Sequence, residues 1–172
     1  MTDAGRASGP GPADRLTHVD EHGAARMVDV SAKDVTVRTA TATGRVQVSP
    51  AVVEALRGDG VPKGDAIAVA RLAGIQGAKR TPDLVPLCHP IALHGVEVDV
   101  EVHDDGVHIR ATTRTADRTG VEMEALTAVA VAGLAMIDMV KSLDRTASIV
   151  DIRLLAKTGG RSGTWVRPEA DA

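Results

Sequence analysis

The chain contains no phenylalanine and no tyrosine, and its one tryptophan, Trp165, stands near the C-terminal end. A 172-residue core must therefore be filled by Val, Leu, Ile, Ala and Met, which bury less area each and let elements approach closely. One domain is expected at this length, and subunit association would recover apolar area that a lone domain of this composition leaves exposed. A single cysteine, Cys88, excludes an intrachain disulfide framework. A net charge of −3, with no aromatics interleaved among basic residues, argues against nucleic acid as a partner. No long apolar run precedes residues 121–140, and that run carries Glu122, Glu124 and Asp138, so it is a poor membrane span. Residues 1–15 lack an apolar signal core and are rich in Gly, Pro and Ala, which predicts a disordered tail on a soluble cytoplasmic protein.

Lysine is scarce too. There are five, Lys33, Lys63, Lys79, Lys141 and Lys157, against fifteen arginines. Where positive charge comes mostly as Arg, a remaining Lys can mark a place that needs an ammonium, because Lys loses its proton when desolvated and Arg effectively does not. Compositional drift gives the same count.

Among what is present, DLVPLCHP (residues 83–90) sets Cys88 beside His89 and holds both between Pro86 and Pro90. Those prolines fix φ, remove donors and turn the preceding residues away from helix, so the pair sits on a stiffened, non-helical backbone suited to a pocket. A buried loop with a core cysteine fits the same residues. Downstream, residues 120–145 contain no proline and read as one long helix. On it Asp138 and Lys141 fall one turn apart on one face, whereas Glu124 lies roughly 21 Å along the axis from Asp138. If both ends serve one reaction, subunits share sites or a long substrate is held at two points. A core helix with a solvated Asp–Lys pair is the plainer alternative.

Five stretches occur in order: MVDVSAK (27–33), ARLAGIQGAKRT (70–81), DLVPLCHP, GVEMEALTAVAVAGLAMIDMVK (120–141) and LLAKTGGRSG (154–163). Together they resemble the cyclic pyranopterin monophosphate synthase family of molybdenum cofactor biosynthesis, over residues 16–163. Residues 1–15 and a C-terminal tail, 164–172, lie outside the resemblance. It implies a lyase that converts (8S)-3′,8-cyclo-7,8-dihydroguanosine 5′-triphosphate to cyclic pyranopterin monophosphate and pyrophosphate. It also implies a homo-oligomer, a hexamer built as a trimer of dimers. The resemblance assigns catalysis to Asp138, Lys63 and Lys141, and substrate contact to Leu87, Cys88, His89, Met123 and Glu124, with Glu122 a second acceptor. Lys33, Lys79, Lys157 and Arg161 are weaker candidates for phosphate contact, with a solvated surface charge the alternative for each. No metal site and no resident cofactor are expected, with Mg²⁺ alongside the triphosphate left open. Cys88 is weak as a nucleophile, since adjacent side chains on an extended loop point apart, and Cys88, His89 and His94 lack a usual zinc spacing. A nucleotide-sensing domain without turnover is the alternative, and it has no need of an Asp138–Lys141 proton-transfer pair.

Local signals give the order β, α, α, β, β, α, β. Val35, Val37, Val46 and Val48 suggest a strand or hairpin broken near Gly44. Ser49 and Pro50 start a helix over 50–56, Lys63 rides a turn-rich loop, and Asp65 caps a helix ending at Lys79. Residues 96–102 and those from Val107 alternate about a turn at 103–106, a β-hairpin. A strand over 148–157 leads to a glycine loop at Gly159, Gly160 and Gly163 that could admit an anion. The fold class expected is α+β, a ferredoxin-like sandwich with an antiparallel sheet and helices on one face.

Overall fold

In a computed structural model, which describes residues 19–20, 22–58, 61 and 64–168, the chain forms one antiparallel sheet under a layer of helices. The predicted tail over 1–15 and the loop position Lys63 lie outside the described residues. The elements are β1 (Thr36–Gln47), α1 (Pro50–Arg57), α2 (Ala66–Lys79), α3 (Thr81–Leu84), β2 (Gly95–His103), β3 (Gly106–Asp117), α4 (Glu122–Val140), β4 (Ser148–Thr158) and β5 (Trp165–Val166). The strands lie in the order β2-β3-β1-β4-β5, every named pairing antiparallel.

The hairpin is legible in its period of two. Val98, Val100, Val107, Ile109 and Ala111 are buried on one face, while Glu97, Asp99, Glu101, Arg110 and Arg114 face outward. Ala40, Ala42 and Val46 continue the buried face across β1. Upon it lies α4, packed against β1, β3, β4 and α2. By length and composition α4 could cross a membrane, yet more than half of it is buried within this fold.

Small residues set the spacing between layers. At Gly44 a Cβ would come within 2.7 Å of Val129 Cγ1 and 3.1 Å of Ile152 Cγ1. The expected break at Gly44 is therefore absent: β1 runs through it, and the glycine answers a close approach of α4 rather than a turn. The pairing of β1 with β4 is irregular here, and Asp151 takes φ +57. On α2, Gly77 faces Val131, whose Cβ would stand 2.7 Å from a new methyl.

Other boundaries shift for identifiable reasons. α1 starts at Pro50, but the Ser49 side chain makes no cap; instead its N–H donates to Asp144 Oδ2 at 2.8 Å. Asp65 does cap α2, accepting from the Ala68 N–H at 2.9 Å. The segment from Asp83 is not wholly non-helical: Asp83 and Leu84 close the single turn α3, with Pro82 tolerated in its first turn. Extended backbone begins at Val85, before Pro86. α4 is shorter at both ends than 120–145. Thr113 Oγ1 donates to Val121 O at 2.9 Å, holding that carbonyl at the helix entry. Past Val140, Asp144 accepts from the Thr146 N–H and hydroxyl and turns the chain into β4. Within the expected C-terminal tail, Trp165 and Val166 instead add an edge strand beside Lys157 and Ala156.

Substituting Gly77→Ala should lower stability by about 1–2 kcal/mol, because overpacking against the β-branched Val131 outweighs the helix-propensity gain. Exposed Gln76→Ala, on the same helix, should stay within about 0.5 kcal/mol of the parent. Urea midpoints of the two variants make the comparison. An unchanged Gly77→Ala midpoint would mean that the two helices have slack.

Candidate active site

Four chain segments converge at the N-terminal end of α4. The irregular stretch 27–33, the loop after Pro86, the turn after β3 and the first turn of α4 line a cavity of about 370 Å³. Seven residues expected to bind substrate lie on its wall: Lys33, Leu87, Cys88, His89, Glu122, Met123 and Glu124. Val28, Val30, Thr119 and Gly120 complete it. A smaller polar recess of about 170 Å³ adjoins it through Gly120 and Glu122, and contains Arg38, Thr39, Lys157 and Gly159. Lys157 reaches the site there, its Nζ 2.8 Å from Glu122 Oε1.

Helical geometry positions the acidic wall. Glu124 is only 3% exposed, drawn inward with Ala125 and Ala128 on the buried face of α4, while Met123 turns toward solvent. Burial pushes the Glu124 carboxyl up to about 7; its own backbone N–H opposes this, and the charge of Glu122 adds to it. Cys88 shifts the same way, raised first by burial and then by Glu124. A thiol pushed upward is a poorer nucleophile at neutral pH, which accords with a packing or hydrogen-bonding part for Cys88.

His89 has a defined tautomer. Its Nε2 lies 2.7 Å from Val28 O, and a carbonyl only accepts, so Nε2 carries the proton and Nδ1 is left as an acceptor. The bond ties the stretch 27–33 to the proline loop. Asp29, beyond it, is held below the usual carboxylate range, chiefly by the Ser31 N–H at 2.8 Å. Among the described residues, no group of three or more His, Cys, Asp or Glu side chains is placed to hold a metal ion.

Four expected residues stand apart from this cavity. Asp138 and Lys141 pair at 2.7 Å on the exposed far end of α4, at a helical distance of roughly 21 Å between Glu124 and Asp138. Lys79 ends α2, exposed. Arg161 lies in the glycine loop, exposed and absent from both cavity walls. Arg38 and Thr119 on these walls, and Arg118, which donates to Lys33 O at 2.9 Å from beside them, were not foreseen. Arg38 sits in an alternating strand and Arg118 in a polar turn, and nothing in their spacing separates them from the other arginines; Thr119 borders Gly120 of the recognised helix stretch.

The raised carboxyl has a pH consequence. The folded state holds the Glu124 proton more tightly than the unfolded chain, whose value is 4.5. Its stabilising contribution is complete below about 4.5 and is lost as pH rises through about 7. Between pH 5 and pH 8 the parent should lose on the order of 2 kcal/mol through this group, and Glu124→Gln should abolish that part of the slope. The lowered carboxyls Asp29, Asp105 and Asp144 act below about pH 4 and leave this window clear. Urea denaturation of both proteins at the two pH values tests it, and parallel profiles would contradict the buried acid.

A sequence model described as the MoaC family matches residues 27–160. The protein named cyclic pyranopterin monophosphate synthase from Streptomyces coelicolor is 67% identical over 169 residues, 97% of this chain and 99% of its own. One of the same name from Nocardioides sp. is 68% identical over 157 residues, 90% and 96% of the two chains. Cyclic pyranopterin monophosphate synthase 2 of Mycobacterium tuberculosis is 57% identical over 152 residues, 88% and 91%. At this coverage and identity, the chain belongs to the MoaC family.

Proposed function

We propose that this chain is a cyclic pyranopterin monophosphate synthase, a lyase of molybdenum cofactor biosynthesis. It takes (8S)-3′,8-cyclo-7,8-dihydroguanosine 5′-triphosphate and yields cyclic pyranopterin monophosphate and pyrophosphate. The observation that carries the reading is the convergence of Lys33, Leu87, Cys88, His89, Glu122, Met123 and Glu124, from distant parts of the chain, on one cavity. Close relatives bearing that name support it.

Each group has work suited to its chemistry. Glu124 and Glu122 accept N–H donors of the purine-derived ring, and His89 Nδ1 accepts a further one. Lys33 and Lys157, with Lys79 and Arg161 further off, meet phosphate oxygens as cations. Asp138 orients Lys141, and with Lys63 they exchange protons as the ring opens and recloses. No resident cofactor is drawn on; any Mg²⁺ travels with the triphosphate as part of the substrate. A sensing domain would need the phosphate contacts but not the Asp138–Lys141 pair.

That pair also supports an oligomer. It is exposed at the far end of α4, beside Leu134 at 60% exposure, so the described residues leave it open on one side. In our reading a partner's Asp138 end completes each cavity, within a homohexamer arranged as a trimer of dimers. Strand order β2-β3-β1-β4, with helices in both crossovers, supports a ferredoxin-like sandwich as the protomer, with β5 appended. A cytoplasmic location accords with a biosynthetic enzyme of this family.

Two outcomes are expected. Asp138→Asn and Lys63→Ala should each lower kcat by roughly 100-fold or more while substrate still binds. Turnover is read as pterin and pyrophosphate released from the cyclic triphosphate, and near-parental rates in either variant would refute the assignment. If sites are shared in dimers, co-assembling Asp138→Asn with an inactive Glu124→Ala chain should restore about a quarter of parental activity. No recovery, or a fully active monomer by light scattering, would refute sharing.

A further inference from the structure

Lys33 lines the cavity from a stretch, 26–35, that belongs to no helix or strand of the sheet and is largely exposed. An ammonium on such a stretch is placed only as well as its backbone is held. Among the described residues, two side-chain hydrogen bonds hold it to the body. His89 grips Val28 O, and Arg118 Nε donates to Lys33 O at 2.9 Å. Arg118 is itself fixed. Its N–H donates to Asp117 Oδ1 at 2.7 Å, and its carbonyl accepts from Arg38 Nη2 at 3.2 Å. Arg38 Nε also donates to Asp117 O at 3.0 Å, and its guanidinium fills the space a side chain at Gly160 would need. Two arginines in series thus join β1, the turn after β3 and the Lys33 backbone.

We infer that Arg118 is a positioning residue, acting through the Lys33 carbonyl to aim that ammonium at the anionic part of the substrate. This deepens the proposed function and rests on it. Arg118 lies across the stretch from the substrate cavity, on the wall of a neighbouring one of about 520 Å³ that shares Val28, Val30, His89 and Thr119. Its effect is therefore carried by Lys33 rather than by contact with the reacting groups. A guanidinium is apt here, since Nε reaches one carbonyl while the planar fork resists rotation.

Removing one such bond should raise KM for the cyclic triphosphate roughly three- to tenfold in Arg118→Ala. kcat should stay within about twofold, because lost ground-state placement appears in KM. Arg118→Lys should recover part of the loss. In the Lys33→Ala background Arg118→Ala should add nothing, since it acts only through that side chain. Additive losses in the double variant, as a direct substrate contact would give, or an unchanged KM in Arg118→Ala, would overturn the inference. Hydrogen exchange supplies a readout free of turnover. The Lys33 amide, bonded to Val30 O at 3.0 Å, should exchange faster in Arg118→Ala. Unchanged exchange there removes the clamp even if the parent turns nothing over, whereas an inactive parent with faster exchange counts against the proposed function alone.

Discussion

Everything in this fold is arranged around how closely α4 can approach its neighbours. With no phenylalanine or tyrosine, the interior is closed by alanine, glycine and valine at short range: Gly44 beneath Val129, Gly77 against Val131, and Gly74, where an added Cβ would stand 3.0–3.2 Å from Ala128 O, Ala132 and Val98. Close approach recovers in contact number what small side chains lose in area. It also makes α4 a rigid rod. Its N-terminal turn is pinned by Thr113 and its C-terminal exit by the turn around Asp144, which also holds the entry to α1. Chemistry placed at either end inherits that rigidity, as a site built on a packed helix does.

The same rigidity separates the groups. Glu124 and Asp138 lie too far apart along a straight helix to meet one compact molecule, so if both ends serve one reaction, subunits share sites or a long substrate is held at two points. That argument was available from spacing alone, since a proline-free, mostly Ala/Leu/Val/Met run fixes its own length. The hairpin was equally legible, because alternation in 96–102 and after Val107 has one physical solution on a half-buried sheet. Gly44 misled for an instructive reason. A glycine inside a valine-alternating strand signals either a turn or a close neighbour, and only the packing of α4 decides which. β5 gave no signal, being two residues long and defined by its pairing with Lys157 and Ala156.

Most of the cavity wall could be named in advance because whole motifs resembled a known family. Periodicity alone would not have brought Lys33 to Glu124, which are ninety-one positions apart and meet only through the tertiary fold. Arg38 and Arg118 escaped for a further reason. Their work is done on backbone carbonyls, which carry no side-chain signature, so a sequence shows the donors but not what they hold.

By residue count an acidic wall is a poor receptor for a polyanion, and the electrostatics of this one resolve the conflict. Glu122 spends its charge on the Lys157 ammonium at 2.8 Å. Glu124, pushed up to about 7 by burial, carries a proton much of the time at neutral pH. Cys88 stays a thiol for the same cause. The wall therefore presents far less negative charge than a count of its residues gives, and Lys33 lines the same cavity. A phosphate brought toward Lys33 and Lys157 would compete with Glu122 for its partner, and a freed Glu122 would hold the proton on Glu124 more firmly still. In this reading substrate charge and carboxyl protonation would be coupled through one ammonium. The buried acid would then keep its proton while the anion is bound, its carbonyl oxygen still free to accept, and give the proton up more readily once Lys157 returns to Glu122, without any movement of the helix that carries it.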